Sequence, residues 1–149
     1  MLSFPELNEL SDDVRRIFEE LDRAHPSDRG VAAGIYTPLL DVVDTGASIE
    51  VFVDVPGVAP DAIRVHVKNG SLIIVGEKLP AETDSRDPAS FHLIERGFGR
   101  FARVIRLAVA VDAGKACATL SAGQLRISVP RIGERRGREI VVTVTPTAG

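Results

Sequence analysis

Apolar residues in the first part of the chain fall at Phe4, Leu7, Leu10, Val14, Ile17, Phe18 and Leu21, in steps of mostly three and four. That is one stripe of a 3.6-residue helix, and it predicts a helix over residues 5–23, about five turns long. Ser3 and Glu6 have the spacing of a capping box, and Pro5 suits a first helical turn. Glu6, Glu9, Asp12, Asp13, Arg15, Arg16, Glu19 and Glu20 take the opposite face. Two placements are open: the helix packs on its own domain, or it is an arm that packs on other subunits or other proteins. The stretch from Ala24 to Gly34, with His25-Pro26-Ser27-Asp28-Arg29-Gly30, reads as a flexible connection and favours the arm.

The period then changes to two. Ile49, Val51, Val53 and Val55 alternate with Glu50, Phe52 and Asp54, and Ile63, Val65 and Val67 alternate with Arg64, His66 and Lys68. Each is the pattern of a strand with one buried face. Pro56-Gly57 and Ala59-Pro60 punctuate between them, and Asn69-Gly70 joins the second run to Leu72-Ile73-Ile74-Val75. Asn-Gly between apolar runs is a strong hairpin signal. Further strands are expected over 100–107, 116–120 and 125–129, with Ala122-Gly123 as the last tight turn. Many short strands without interleaved helices predict a β-sandwich or barrel rather than a parallel α/β fold.

Two segments do not fit a core. Gly76 to Ser90 is polar, carries two prolines, and reads as a long exposed loop. Arg131 to Glu139 holds four arginines, two glycines and two glutamates, after which Ile140, Val142 and Val144 recur with period two. An alternating apolar segment beyond such a hinge needs a partner, and ten extended residues reach about 33–36 Å, enough to cross to a neighbouring subunit. One further strand of the same sandwich is the other reading of this tail.

Length and composition limit the function. At 149 residues, with 44% hydrophobic and 26% charged residues, the chain has the size and make-up of one ordinary domain with flanking segments. The net charge of −3 supplies no field for nucleic acid. Cys117 is the only cysteine, so no intrachain disulfide can form, which suits a reducing compartment. No apolar run approaches the length of a membrane-spanning helix, and the start lacks the pattern of a secretory leader. The expectation is a soluble, cytoplasmic protein.

Catalytic patterns are missing: no Gly-x-Ser-x-Gly, no phosphate-binding loop and no His-Glu-x-x-His. Gly97-Phe98-Gly99 lacks a third glycine and precedes a strand. Cys117 with His66 or His92 is the one imaginable thiol–imidazole pair, and an ordinary strand cysteine is the better reading. Scattered histidines make no metal site. The arginines at 131, 135, 136 and 138 are interrupted by acids and lack interleaved aromatics, which reads as a solvated hinge. No enzyme activity, cofactor or metal is expected.

One order of motifs is more specific than any single element. Tyr36-Thr37-Pro38-Leu39-Leu40-Asp41-Val42-Val43-Asp44 opens it, followed by Val53-Asp54-Val55-Pro56-Gly57-Val58. Then come Phe91-His92-Leu93-Ile94-Glu95-Arg96-Gly97-Phe98-Gly99-Arg100-Phe101-Ala102-Arg103 and the stretch from Ala116 through Gly123 to Val129. This series resembles the α-crystallin domain of the small heat-shock proteins, bacterial type. Gln124 and Ala108 depart from the pattern, where an apolar residue and a proline are usual.

The resemblance implies an all-β, antiparallel, immunoglobulin-like β-sandwich, with an N-terminal amphipathic helical arm and a flexible C-terminal tail. The expected divisions are residues 1–34, 35–131 and 132–149. It implies an ATP-independent holdase that binds partly unfolded client proteins, and a homodimer formed by strand exchange within a larger homo-oligomer. Phe91, His92, Leu93, Ile94 and Glu95 match the strand exchanged between subunits, and Arg103 matches an arginine near the dimer interface. Outward-facing strand charge is the alternative for Arg103. Ile140 and Val142 match the tail motif that plugs an apolar groove on a neighbour. Here that groove would be lined by Ile63, Val65, Val67, Ala116, Ala118 and Leu120. Phe4, Leu7, Leu10, Val14, Ile17, Phe18 and Leu21 would contact clients or other arms. The competing expectation is a CS-like module that docks one folded partner. Such modules generally lack both the arm and the tail.

Overall fold

The computed structural model describes residues 2–24, 36–80, 90–133 and 141–147. The expected linker after Ala24, most of the polar loop, and most of the arginine-rich hinge with Ile140 lie outside the described residues.

One helix, α1 (Phe4–Ala24), precedes seven strands: β1 (Leu40–Asp44), β2 (Ser48–Asp54), β3 (Ile63–Lys68), β4 (Ser71–Lys78), β5 (Gly99–Arg106), β6 (Cys117–Ser121) and β7 (Gln124–Pro130). They form two antiparallel sheets, ordered β1-β2-β7-β6 and β3-β4-β5. The fold is therefore a sandwich, and of the two options left by the strand pattern the closed barrel is excluded. The alternation in β2 works as expected: Ile49, Val51, Val53 and Val55 face inward and are buried. They meet Ile63, Leu72, Ile74 and Phe101 from the other sheet in one core with Leu125, Ile127 and Val129.

Turn chemistry sets two hairpin registers. Asn69 and Gly70 both have positive φ, 51° and 74°, which suits the tight turn joining β3 to β4. Ala122 and Gly123 repeat this, at 51° and 76°, between β6 and β7. Gly76 serves a different need. A Cβ there would stand 2.9 Å from the Ala62 carbonyl oxygen and closer still to the Phe101 ring. Its bare backbone is the space that Phe101 fills from the paired position on β5. Tyr36 then meets Phe101 edge-on at 5.8 Å and donates its hydroxyl to the Asp54 carbonyl at 3.2 Å.

Strand β4 is buried from Ser71 through Gly76. Leu72 and Ile74 face the other sheet, while Ile73 and Val75 face outward beneath α1. An unbroken Leu-Ile-Ile-Val run is the signature of a strand covered on both faces, and the helix supplies the second cover.

Several expectations need correction. The motif from Tyr36 to Asp44, which resembles the family's opening strand, forms strand only from Leu40; Pro38 is buried just before it and has no N–H for a ladder. Strand β6 begins at Cys117, because Ala116 ends a short 3-10 turn over Ala113–Lys115. No strand forms over Phe91 to Ile94. Among the described residues nothing pairs with that segment, and Phe91, Leu93 and Ile94 are exposed. Residues 141–147 add no strand to either sheet, which removes the reading of the tail as part of this chain's sandwich.

Candidate interaction surfaces

A sandwich of two open sheets has four edge strands, and here β1 and β5 expose Val42, Val43 and Val104. An edge strand presents backbone groups able to accept another strand.

On one side lie β3 and β6. The inward positions of β3 are Ile63, Val65 and Val67, and those of β6 are Ala118 and Leu120, which pair with buried Ile127 and Leu125 of β7. Ile63 is already part of the core. Val65, Val67, Ala116 and Leu120 pack against the core but stay half-exposed, and Ala118 is exposed although it sits on the inner face. Apart from Ile63, the sequence-expected groove residues lie partly or fully exposed on β3, on β6 and at Ala116 just before it.

On the other side lie β1 and β5, brought together by the segment before β1. Tyr36 N–H donates to the Arg100 carbonyl at 3.3 Å, and Arg103 Nη1 donates to the Pro38 carbonyl at 2.8 Å. Arg103 is paired with Ile74, an inner-face residue. It is therefore not an outward-facing strand charge. Its guanidinium lies at the sandwich rim, half-buried, and fixes the entry into β1. Strand β1 beyond it exposes Val42 and Val43, and Leu39 is exposed just before. The far end of β1 is tied by Asp44, whose carboxylate receives both bonds of Arg131 Nη1 at 2.9 and 3.0 Å. Hydrogen bonding from the Gly46 N–H, and then from Arg131, holds the Asp44 carboxyl below its usual pKa. Phe91, His92, Leu93, Ile94 and Glu95 are all exposed and make no strand contact with this edge within the chain.

The third surface is the outer face of β3-β4-β5. Ile17 and Leu21 of α1 are buried against Ile73 and Val75, with Leu10, Val14 and Phe18 packed around them. The helix stripe expected to form a free arm is therefore seated on its own sheet; only Phe4 and Leu7 remain strongly exposed. Outward Ile73 and Val75 need cover, and α1 is the apolar face at hand. Ion pairs flank the contact: Glu9 and Asp13 with Lys68 at 3.3 and 3.0 Å, Asp22 with Arg100 at 2.7 Å. Hydrogen bonds to Asp13 and then Glu9 push the Lys68 ammonium above its usual pKa. At the helix start, the Ser3 hydroxyl and N–H both donate to Glu6, each at 2.7 Å, and hold that carboxyl below its usual pKa. Sequence reasoning left this placement as one of two open readings and favoured the other. The signals present were the doubly apolar run in β4 and the acidic flanks of α1.

The imaginable thiol–imidazole pair is separated by the fold. His66 pairs with outward Ile73 on one sheet, and Cys117 pairs with Ser128 on the outer face of the other. Among the described residues no group of three or more His, Cys, Asp or Glu is placed to hold a metal. No helix among them is long and apolar enough to cross a membrane.

Comparison with known proteins gives a consistent result. A family model described as "Hsp20/alpha crystallin family" matches residues 41–145. A 21.9 kDa heat shock protein of Oryza sativa subsp. japonica is 35% identical over 127 residues, covering 80% of this chain and 62% of the relative. Heat shock protein 16 of Schizosaccharomyces pombe is 28% identical over 119 residues, covering 80% of this chain and 83% of the relative. The chain thus spans less than two thirds of the rice relative's length. Among solved structures, heat shock protein 16.0 from Schizosaccharomyces pombe superposes with a TM-score of 0.63 at 27% identity, over 73% of this chain and 99% of that one. A small heat-shock protein from Xylella fastidiosa gives 0.59 at 31% identity, over 73% and 98%.

Proposed function

The chain belongs to the Hsp20/alpha crystallin family, a family of chaperones and not of enzymes, and on that premise we propose that it is an ATP-independent holdase that binds partly unfolded proteins and keeps them from aggregating. One observation carries the proposal: two apolar surfaces of the same chain stand without mates. The margin between β3 and β6 is half-open, and in the tail Val142 and Val144 are 80% and 91% exposed. Apolar area in water is unfavourable by about 25 cal/mol per Å², so both surfaces favour any partner that covers them.

In the assembled protein that partner is a neighbouring subunit. Ile140 and Val142 of one copy enter the margin lined by Val65, Val67, Ala116, Ala118 and Leu120 of another. The segment Phe91–Glu95 of one copy adds as a strand to the β1 edge of its partner, near Arg103, and so forms the dimer. Each buried branched side chain contributes about 1.5–3 kcal/mol before ordering costs. Single plugs of this strength exchange, and repeated across an assembly they hold. Unfolding proteins offer the same kind of surface and compete for it when stress raises their concentration.

The test is light scattering from a heat-labile protein in buffer without ATP, with and without this chain. Suppression at near-stoichiometric ratios, absent with an inert protein, is the expected result. No suppression across several labile proteins and temperatures overturns the holdase and leaves a CS-like module that docks one folded partner.

A further inference from the structure

The outer face of β3-β4-β5 has a composition of its own. Ile73 and Val75 form an apolar strip along β4, continued by Val104 on β5. Four cations frame it: Arg64 and Lys68 on β3, Arg100 and Arg106 on β5. Each of the four is paired with a carboxylate of α1. Lys68 meets Glu9 and Asp13, Arg64 meets Glu20 at 4.0 Å, Arg100 meets Asp22, and Arg106 meets Glu6 at 3.9 Å. The sign never reverses in these pairs. Arg15 and Arg16 of the helix pair with Asp12 and Asp13, inside α1.

These partners also give the direction of the helix. Glu6, Glu9 and Asp13 lie at the Ser71 end of β4, beside Arg106 and Lys68; Glu20 and Asp22 lie at the other end, beside Arg64 and Arg100. The helix therefore runs along β4 with its apolar stripe on the strip and carboxylates clamped on both flanks. The fit is loose at its start. A cavity of about 430 Å³ opens between Leu2, Leu7, Leu10 and Val14 on one side and Val104 and Arg106 on the other. The flanking pairs involve half-exposed side chains, so salt weakens them. The cluster under α1 is separate from the sandwich core, so the sheet does not need the helix for its interior.

We infer that this face is a binding surface for acidic amphipathic helices, that α1 occupies it in the resting chain as a built-in competitor, and that its other occupant is a client segment of the same chemistry. Such a segment carries an apolar stripe at steps of three and four with carboxylates on both sides. The identity of the occupant as a client rests on the chaperone reading; the surface and its selectivity do not.

The test measures binding directly, without aggregation. The probe is a fluorescent peptide of residues 2–24, beside a control peptide with its acids replaced by lysine. The receptors are the full chain and two opened full-length variants. One carries Ile17→Asp with Leu21→Asp, which removes the stripe. The other carries Glu9→Lys, Asp13→Lys and Asp22→Lys, which keeps the stripe and repels the sheet. Both opened chains are expected to bind the acidic peptide roughly tenfold tighter than wild type, the factor by which a competitor seated nine-tenths of the time lowers apparent affinity. Added salt should erode the gain, and Lys68→Glu with Arg100→Glu in the chain that lacks the stripe should abolish it. Equal binding by wild type and opened chains, or equal binding of acidic and lysine peptides, overturns the inference. A chain that binds the peptide yet fails to suppress aggregation keeps the surface and loses the holdase.

Discussion

Asp13, a residue of α1 only 6% exposed, accepts two hydrogen bonds on its carboxylate from Lys68 Nζ at 3.0 and 3.1 Å, across 55 residues of sequence. Arg16 donates to the same carboxylate at 3.1 Å. A buried carboxylate without such partners would bear its full desolvation cost, so this one is seated only while the helix is down on the sheet. Asp13 marks where α1 belongs.

Breaking that relationship should loosen the helix before the sandwich. Lys68→Ala leaves Asp13 buried with only Arg16 to satisfy it. Amide exchange at Val14 through Leu21 is expected to quicken several-fold while exchange in β2 and β7 stays unchanged. Equal quickening in both would mean that the helix and sandwich open as one unit.

The latch should also have an asymmetric pH response. Lys68 titrates above its ordinary 10.5 because of Asp13 and Glu9. Its contribution is therefore whole below 10.5 and is lost only as pH rises through the raised value. Glu6 titrates below its ordinary 4.5 because of the Ser3 hydroxyl and N–H. Its contribution is whole above 4.5 and is lost as pH falls through the lowered value. Between these limits the docked helix should not respond to either group. On acidification below 4.5 the first turn should fray first, and a Ser3→Ala chain, which loses the hydroxyl bond but keeps the N–H bond to Glu6, should show a smaller step when followed by NMR.

Gly76 and Phe101 make a reciprocal test of packing. Gly76→Ala sets a methyl group into the Phe101 ring and against the Ala62 carbonyl, an overpacking expected to cost about 1–3 kcal/mol. Adding Phe101→Leu should return part of that loss in urea unfolding, whereas Phe101→Leu alone should destabilise. Simple additivity of the two changes would argue against the close approach.

Ala122 holds φ at +51° with a side chain present. Left-handed backbone costs a Cβ-bearing residue about 1–2 kcal/mol, and glycine returns less than 1 kcal/mol of that through its looser unfolded chain. Ala122→Gly is therefore expected to raise stability by about 0.5–1 kcal/mol. A fall in melting temperature would contradict it.

The tail should govern assembly size without affecting the fold. Ile140→Ala with Val142→Ala removes the two proposed plugs, and residues 141–147 join neither sheet. The expected result is a smaller mass by light scattering with an unchanged circular dichroism spectrum. An unchanged mass would sink the tail's role.

What the sequence determined by itself is which side chains need cover. The alternation of Ile49 to Val55 and of Ile63 to Val67, the Asn69-Gly70 turn, and the helical spacing from Phe4 to Leu21 are local patterns, and each element formed within a few residues of its expected place. The unbroken run Leu72 to Val75 lacks the two-residue alternation of the other strands, and the structure shows both of its faces buried. What covers them was decided only by tertiary structure. That α1 lies on Ile73 and Val75, that Asp13 finds Lys68, that Arg103 turns inward to Pro38, and that Gly76 makes room for Phe101 are relations between distant parts of the chain. A strand's period says that one face is apolar, but the hydrophobic effect has no direction. Its partner is selected by which long-range pairing leaves the fewest apolar and charged groups unmatched. The segment Phe91 to Ile94 shows the same limit from the other side: a strand is expected there only from the family resemblance, and among the described residues it pairs with no strand.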